Sequence, residues 1–230
     1  MNWKGDFLMF DQIHEECGVF GVYSPESTTS VVGDTYMALY ALQHRGQQSC
    51  GIAVNDDGII RSYRDLGLVP DTFNQRVLSD LGSGRMAVGH VLYGASNPER
   101  ADAQPLVVRH IKGSMALAFN GALVNALELK EELELKGAIF HSNSDAEIIS
   151  HVIINERLHT NSIEEAIEKA MDKLKGAYSM VVMSPQKLMA VRDPQGIRPL
   201  AMGKMGGEIV FASESCAFDS IGAKFVRDVR

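Results

Sequence analysis

The chain has 230 residues, 45% of them hydrophobic and 22% charged, with 21 glycines and 7 prolines. That suffices for a large folded domain with a substantial core and excludes disordered and fibrous architectures. A net charge of −7 excludes a basic nucleic-acid footprint, and three cysteines without CxxC or Cys/His spacing argue against a disulfide framework or structural zinc, in favour of a reducing cytosol.

The opening segment, Met1–Glu16 (MNWKGDFLMFDQIHEE), has a short apolar stretch followed by acids and no small-residue cleavage site, so it does not fit a secretory signal. No apolar run approaches the roughly 20 residues of a membrane span. Gly18 to Tyr23 predicts a strand, and Val31 to Gln43 a helix that runs into the polar turn His44-Arg45-Gly46-Gln47. Ile52 to Val54 and Ile59 to Tyr63 flank Asn55-Asp56-Asp57-Gly58, a hairpin signal because Asp-Gly tolerates positive φ. Met86 to Leu92 and Ser114 to Phe119 predict buried strands.

Three helices follow. Leu123 to Lys136 carries leucines at 123, 127, 129, 133 and 135 and closes on Gly137. Ser144-Asp145-Ala146-Glu147 and Ser162-Ile163-Glu164-Glu165 read as capping boxes, the first opening a helix to about His159 and the second a helix ending before Gly176. Strands return at Tyr178 to Met183, Leu188 to Arg192 and Ile209 to Ala212. Strands at both ends with helices between them indicate one α+β domain of layered sheets.

Several residues have chemistry worth weighing against simpler roles. Cys17, at the entrance to the first strand, fits a small packing residue. Were Met1–Glu16 removed, it would gain an α-amine of pKa roughly 7.7 able to take its thiol proton, the N-terminal nucleophile arrangement. Asn120-Gly121 fits a strand-ending turn, or a pair of donors converging on an oxyanion. Asp145 suits a helix N-terminus, and Arg45 a surface charge or a partner for a helix C-terminus. The acidic run Glu128 to Glu134 reads as a solvated helix face, Cys50 and Cys216 as packing residues, and the histidines show no metal-ligand spacing.

The ordered set Glu16-Cys17-Gly18-Val19-Phe20-Gly21, Leu42-Gln43-His44-Arg45-Gly46-Gln47, Gly89-His90-Val91, Asn120-Gly121, Ser144-Asp145, Lys175-Gly176-Ala177-Tyr178, Arg192-Asp193-Pro194, Gly196-Ile197-Arg198-Pro199-Leu200 and Ala212-Ser213-Glu214-Ser215 resembles the glutamine phosphoribosylpyrophosphate amidotransferase (amidophosphoribosyltransferase) family. It spans residue 15 to the end. The resemblance implies an N-terminal-nucleophile hydrolase fold, a four-layer αββα sandwich with two antiparallel sheets. It implies that residues 1–16 are a propeptide and residues 17–230 a glutaminase domain. A C-terminal phosphoribosyltransferase domain, the partner in phosphoribosylamine formation at the first step of purine synthesis, is expected to be absent from this chain.

By the same resemblance, Cys17 forms a γ-glutamyl thioester with glutamine, and Asn120 and Gly121 form the oxyanion hole. Arg45 and Gly46 support the nucleophile, and Asp145 holds the α-ammonium of glutamine. No cofactor or metal is expected in this domain; full-length relatives use Mg2+, and some carry a 4Fe-4S cluster in the second domain. The whole protein is expected to be cytoplasmic and homo-oligomeric, with no nucleic-acid or membrane partner.

One position departs from the family. Members generally read Gly-His-Val-Arg-Tyr, the arginine binding the α-carboxylate of glutamine with a threonine nearby, whereas this chain reads Gly89-His90-Val91-Leu92-Tyr93. Leucine cannot make the bidentate bond. Either Arg100 or Arg109 substitutes, Arg85 being less well placed, or glutamine use is impaired and the domain serves docking or regulation. A sugar-phosphate aminotransferase glutaminase is the remaining alternative; the leader and the Arg-Asp-Pro segment count against it.

Overall fold

The computed structural model describes residues 17–27, 31–94, 99–142 and 144–230. Eleven strands among these residues form two antiparallel sheets. The first sheet contains β1 (Gly18–Tyr23), β2 (Ser49–Asp56), β3 (Ile59–Leu66), β4 (Met86–Leu92), β9 (Ala201–Met205), β10 (Glu208–Ala212) and β11 (Lys224–Asp228) in the order β11-β9-β10-β1-β4-β2-β3. The second contains β5 (Leu106–His110), β6 (Gly113–Leu123), β7 (Gly176–Met183) and β8 (Leu188–Arg192) in chain order.

Side-chain alternation along the strands divides the core into layers. On β1, Phe20 and Val22 join a cluster with α1 (Val31–Ala41) and α7 (Cys216–Ile221), through Leu39 and Phe218. Val19 faces the other way, into a middle layer with Val88, Ala118 and Val181 between the sheets. On β6, Leu117 and Phe119 pack outward against α4 (Ala126–Leu135), α5 (Asp145–Leu158) and α6 (Ile163–Met171). Two short helices, α2 (Val69–Thr72) and α3 (Gln75–Leu81), complete the outer face of the first sheet. The result is the αββα sandwich.

Local chemistry explains the boundaries and corrects several of them. The β2–β3 hairpin closes on Asp57 and Gly58, both at positive φ, so the strands extend further into the Asn-Asp-Asp-Gly segment than expected. β6 runs through Asn120-Gly121 to Leu123, so that pair is no strand-ending turn and α4 starts later, at Ala126. Only Leu129 and Leu133 of its leucines are buried, while Leu127 and Leu135 lie on the opposite face at more than 80% exposure. Gly137 ends α4 as expected: Ala138 N–H bonds Leu133 C=O and Gly137 N–H bonds Glu134 C=O, the Schellman pattern.

The two capping boxes are one-sided. Ser144 and Ser162 accept from Ala146 and Glu165 N–H, but Glu147 is turned to the 141–142 backbone and Glu165 to Asn161 N–H. The helix that starts at Val31 ends at Ala41 and is followed by a 3-10 turn over Gln43–Arg45. No described helix is long and apolar enough to cross a membrane.

The Arg192-Asp193-Pro194 motif has a structural explanation. The buried Asp193 carboxylate accepts from the N–H groups of Tyr178, Gln195, Ile197 and Arg198, while Arg192 donates to the carbonyls of Gly196, Arg198 and Val229. The loop after β8 is thereby satisfied without sheet pairing.

Candidate active site

Cys17 precedes the first residue of β1, and its alternation partner Val19 points between the sheets. The Tyr93 N–H donates to Cys17 Sγ at 3.4 Å, and the thiol reaches the Tyr93 carbonyl at 3.5 Å. Burial pushes the thiol pKa above its ordinary value, although the bond to Tyr93 and the charge of Arg45 oppose that shift. The expected leader, residues 1–16, lies outside the described residues.

Arg45 locks the backbone at Cys17. Its Nε donates to the Cys17 carbonyl at 3.2 Å, and its Nη1 pairs with Glu214 Oε1. Burial raises the pKa of the Glu214 carboxyl, but Arg45 and His44 outweigh it and hold the group below the usual carboxylate range. Next door, Ser213 exchanges two 3.0 Å bonds with Val19, side chain to N–H and N–H to carbonyl. Gly46 packs so closely on β4 that a Cβ there would stand 2.6 Å from the Val91 carbonyl carbon and 2.8 Å from Leu92 backbone atoms. Only glycine lets the turn approach the end of β4 this way.

The second group of predicted residues sits on the other sheet. His90 of β4 contacts the Phe119 carbonyl through Nε2 at 2.9 Å, tying the two sheets together beside Asn120. Burial pushes the ring of His90 down to about 4, so it is neutral at physiological pH. Asn120 is 1% exposed and alternates with Ala116 and Ala118, which face the middle layer. Its Nδ2 is buried and has no hydrogen-bond partner among the described residues. An orphaned amide donor of this kind costs roughly 1–3 kcal/mol unless something accepts from it.

Gly121 has φ of +145°, and a Cβ there would lie 2.2 Å from the Ala177 carbonyl oxygen, so β6 and β7 can pair here only through glycine. Asp145, the first residue of α5, accepts from Leu123 N–H at 2.8 Å, and burial pushes its carboxyl pKa up. The middle layer thus holds an amide donor with no partner among the described residues, facing the strand that Cys17 precedes.

Leu92 is 8% exposed at the end of β4. Arg100 is ion-paired with Asp65 of β3 at 3.2 Å, two strands from Leu92 in the sheet order. Arg109 is exposed on the edge strand β5, and Arg85 precedes β4 at its opposite end, roughly 20 Å away at strand rise. The guanidinium against Cys17 is that of Arg45. The sequence reading missed Tyr93 and Glu214 as parts of the site, since neither contact leaves a signal in local spacing. Cys50 is buried in the helix–sheet core, Cys17 lies at the head of β1 and Cys216 on α7, and all three are free thiols, so they do not fit an iron–sulfur cluster.

Residues 95–220 match the glutamine amidotransferase domain family. The amidophosphoribosyltransferases of Methanocaldococcus jannaschii and Bacillus subtilis are 43% and 40% identical to the chain over 214 and 219 residues, 93% and 94% of its length but 45% of theirs. Glutamine phosphoribosylpyrophosphate amidotransferase from B. subtilis, solved with ADP and GMP, aligns at a TM-score of 0.85 and 40% identity, over 93% of this chain and 45% of that one. A structure described as the allosteric regulatory enzyme of purine biosynthesis aligns at 0.87 and 39% identity, with the same coverage. The chain spans less than half the length of these relatives.

Proposed function

We propose that this chain, which belongs to the glutamine amidotransferase domain family, hydrolyses the side-chain amide of glutamine through a thioester on Cys17 and releases ammonia. The observation that carries the proposal is the buried, unpartnered Asn120 Nδ2 in the layer faced by the nucleophile strand.

In the proposed reaction, Cys17 Sγ attacks the amide carbon of glutamine and the developing oxyanion accepts from Asn120 Nδ2 and the Gly121 N–H. Each such donor contributes roughly 3–4 kcal/mol to lowering the barrier. The carbon–nitrogen bond then breaks, and the thiol proton leaves with ammonia. Water attacks the thioester, returning the proton to sulfur and releasing glutamate. The base is the α-amine of Cys17, which exists only after the 16–17 peptide bond is cut; while that nitrogen is an amide, the burial-raised thiol has no comparable base.

Asp145 holds the α-ammonium of glutamine, while Arg45 and Gly46 position the Cys17 backbone. Leu92 offers no partner to the α-carboxylate, and loss of a charged partner typically costs about 2–5 kcal/mol, so glutamine is expected to bind weakly. In the whole protein the ammonia would pass to a phosphoribosyltransferase half to form phosphoribosylamine, and any Mg2+ or iron–sulfur cluster would belong to that half. Likeness to the curated amidophosphoribosyltransferases supports this reading, as do three unpaired thiols for a reducing cytoplasm.

The test is ammonia release from glutamine, with Cys17→Ala as the blank and intact mass reporting whether the chain starts at Cys17. Cys17-dependent release from the processed chain is expected. None from processed domain or full-length protein would sink the proposal and favour a docking domain.

A further inference from the structure

Three metal-ligating side chains from distant parts of the chain meet behind Arg45. His44 lies in the 3-10 turn after α1, Glu214 follows β10 and Cys216 opens α7. Nε2 of His44 is 3.0 Å from Glu214 Oε2, Cys216 Sγ is 3.7 Å from the same oxygen, and one ligand atom from each residue lies within 4.8 Å of the others. We propose that His44, Glu214 and Cys216 form a binding site for a thiophilic divalent cation of the zinc class, separate from the glutaminase chemistry.

The separations suit such an ion. Zinc bonds of about 2.0–2.3 Å to nitrogen, oxygen and sulfur in a tetrahedron place neighbouring ligand atoms roughly 3.3–3.6 Å apart. The two measured contacts to Glu214 lie within about 0.4 Å of that range. His44 is 55% exposed, so its ring can turn to close the third separation and leave the fourth position to water.

A second observation concerns orientation. His44 Nδ1 lies 3.0 Å from the Ala41 carbonyl and donates to it, so Nε2 is the nitrogen turned to the cluster. The same carbonyl lies 3.8 Å from Cys216 Sγ. A backbone acceptor that fixes the tautomer is how ligating histidines are held in metal sites. Without a cation, Glu214 Oε2 faces two groups that satisfy it only by keeping protons. A bound cation would take the place of both protons facing Glu214, the thiol proton and the one on Nε2, and release them to solvent. Glu214 Oε1 would stay with Arg45, leaving the bond from Arg45 to Cys17 in place. The thiolate selects a soft ion over Mg2+ or Ca2+.

Chelator-treated chain titrated with Co2+ is expected to bind one equivalent and develop a thiolate-to-cobalt charge-transfer absorption, which Zn2+ removes by displacement and Mg2+ does not. Cys216→Ser and His44→Ala should each abolish the band, whereas Cys50→Ser and Cys17→Ser should keep it. In the unsubstituted chain, Zn2+ should slow alkylation of Cys216, read by peptide mass, and leave Cys50 unaffected; this arm decides the matter if a variant misfolds. Absence of the band, its survival in folded Cys216→Ser, its loss in folded Cys17→Ser, or unprotected Cys216 would overturn the proposal. Glutamine plays no part in these readouts, so a failed glutaminase assay leaves the outcome intact.

Discussion

The two halves of the site, one on each sheet, treat their polar groups in opposite ways. Around Cys17 nearly everything is already bonded: Arg45 to Glu214 and the Cys17 carbonyl, Ser213 to Val19, the thiol to Tyr93. Around Asn120 an amide donor is buried without a partner among the described residues, and Asp145 is a carboxylate that burial makes reluctant to ionise. The first half is assembled by folding; the second waits for a ligand. Binding energy for a polar substrate is therefore expected to come mainly from the second half, and rigidity of the nucleophile from the first.

The largest effect should come from Cys17→Ala, which is expected to reduce ammonia release from glutamine to the blank with folding retained by circular dichroism. Asn120→Ala should lower kcat by roughly 10²–10³ while the thermal midpoint holds or rises, since the lost donor has no partner to orphan. Arg45→Ala should behave differently, lowering both kcat and the stability measured in urea, the latter by about 2 kcal/mol, because Glu214 and the Cys17 carbonyl each lose a bond. If the two variants moved stability equally, the contrast between the halves would be wrong.

His90, which joins the halves, gives a pH test. Its folded-state value of about 4 lies below the ordinary 6.5, so as pH falls through that window the unfolded chain takes up a proton that the folded chain refuses. Stability should drop by about 3 kcal/mol between pH 6.5 and 4, and His90→Gln should flatten the drop in midpoint-versus-pH scans. Leu92→Arg should lower the KM for glutamine by roughly 30-fold or more with kcat little changed, if the missing guanidinium is what weakens binding. Asp145 gives a second pH test: burial raises its pKa, which predicts an acid limb of kcat/KM that disappears in Asp145→Asn, a variant that should also weaken glutamine binding.

Much of this was legible in the linear chain because it depends on neighbours. A short apolar run marks the strand at Gly18–Tyr23, which alternates between two buried layers, and Asp57-Gly58 dictates the turn of the β2–β3 hairpin. Gly137 announces the end of α4 for the same local reason. The motif residues Cys17, Arg45, Gly46, Asn120, Gly121 and Asp145 were identifiable as a set, but only by resemblance; spacing alone left each with an ordinary role. Where local reading misled, a long-range partner intervened. Strand β7 drew Asn120-Gly121 into the sheet, and the 141–142 backbone captured Glu147 from its capping box.

The sequence by itself therefore determined the period of each element, the main turns and the identity of the motif residues, since hydrophobic alternation and backbone preference act over a few residues. The tertiary structure alone decided that Glu214 closes on Arg45 across 169 positions, that Tyr93 meets Cys17 across 76, and that His44, Glu214 and Cys216 converge. Those contacts arise from strand order, β10 beside β1 beside β4, and strand order is set by burying three layers of apolar side chains together rather than by any neighbouring pair.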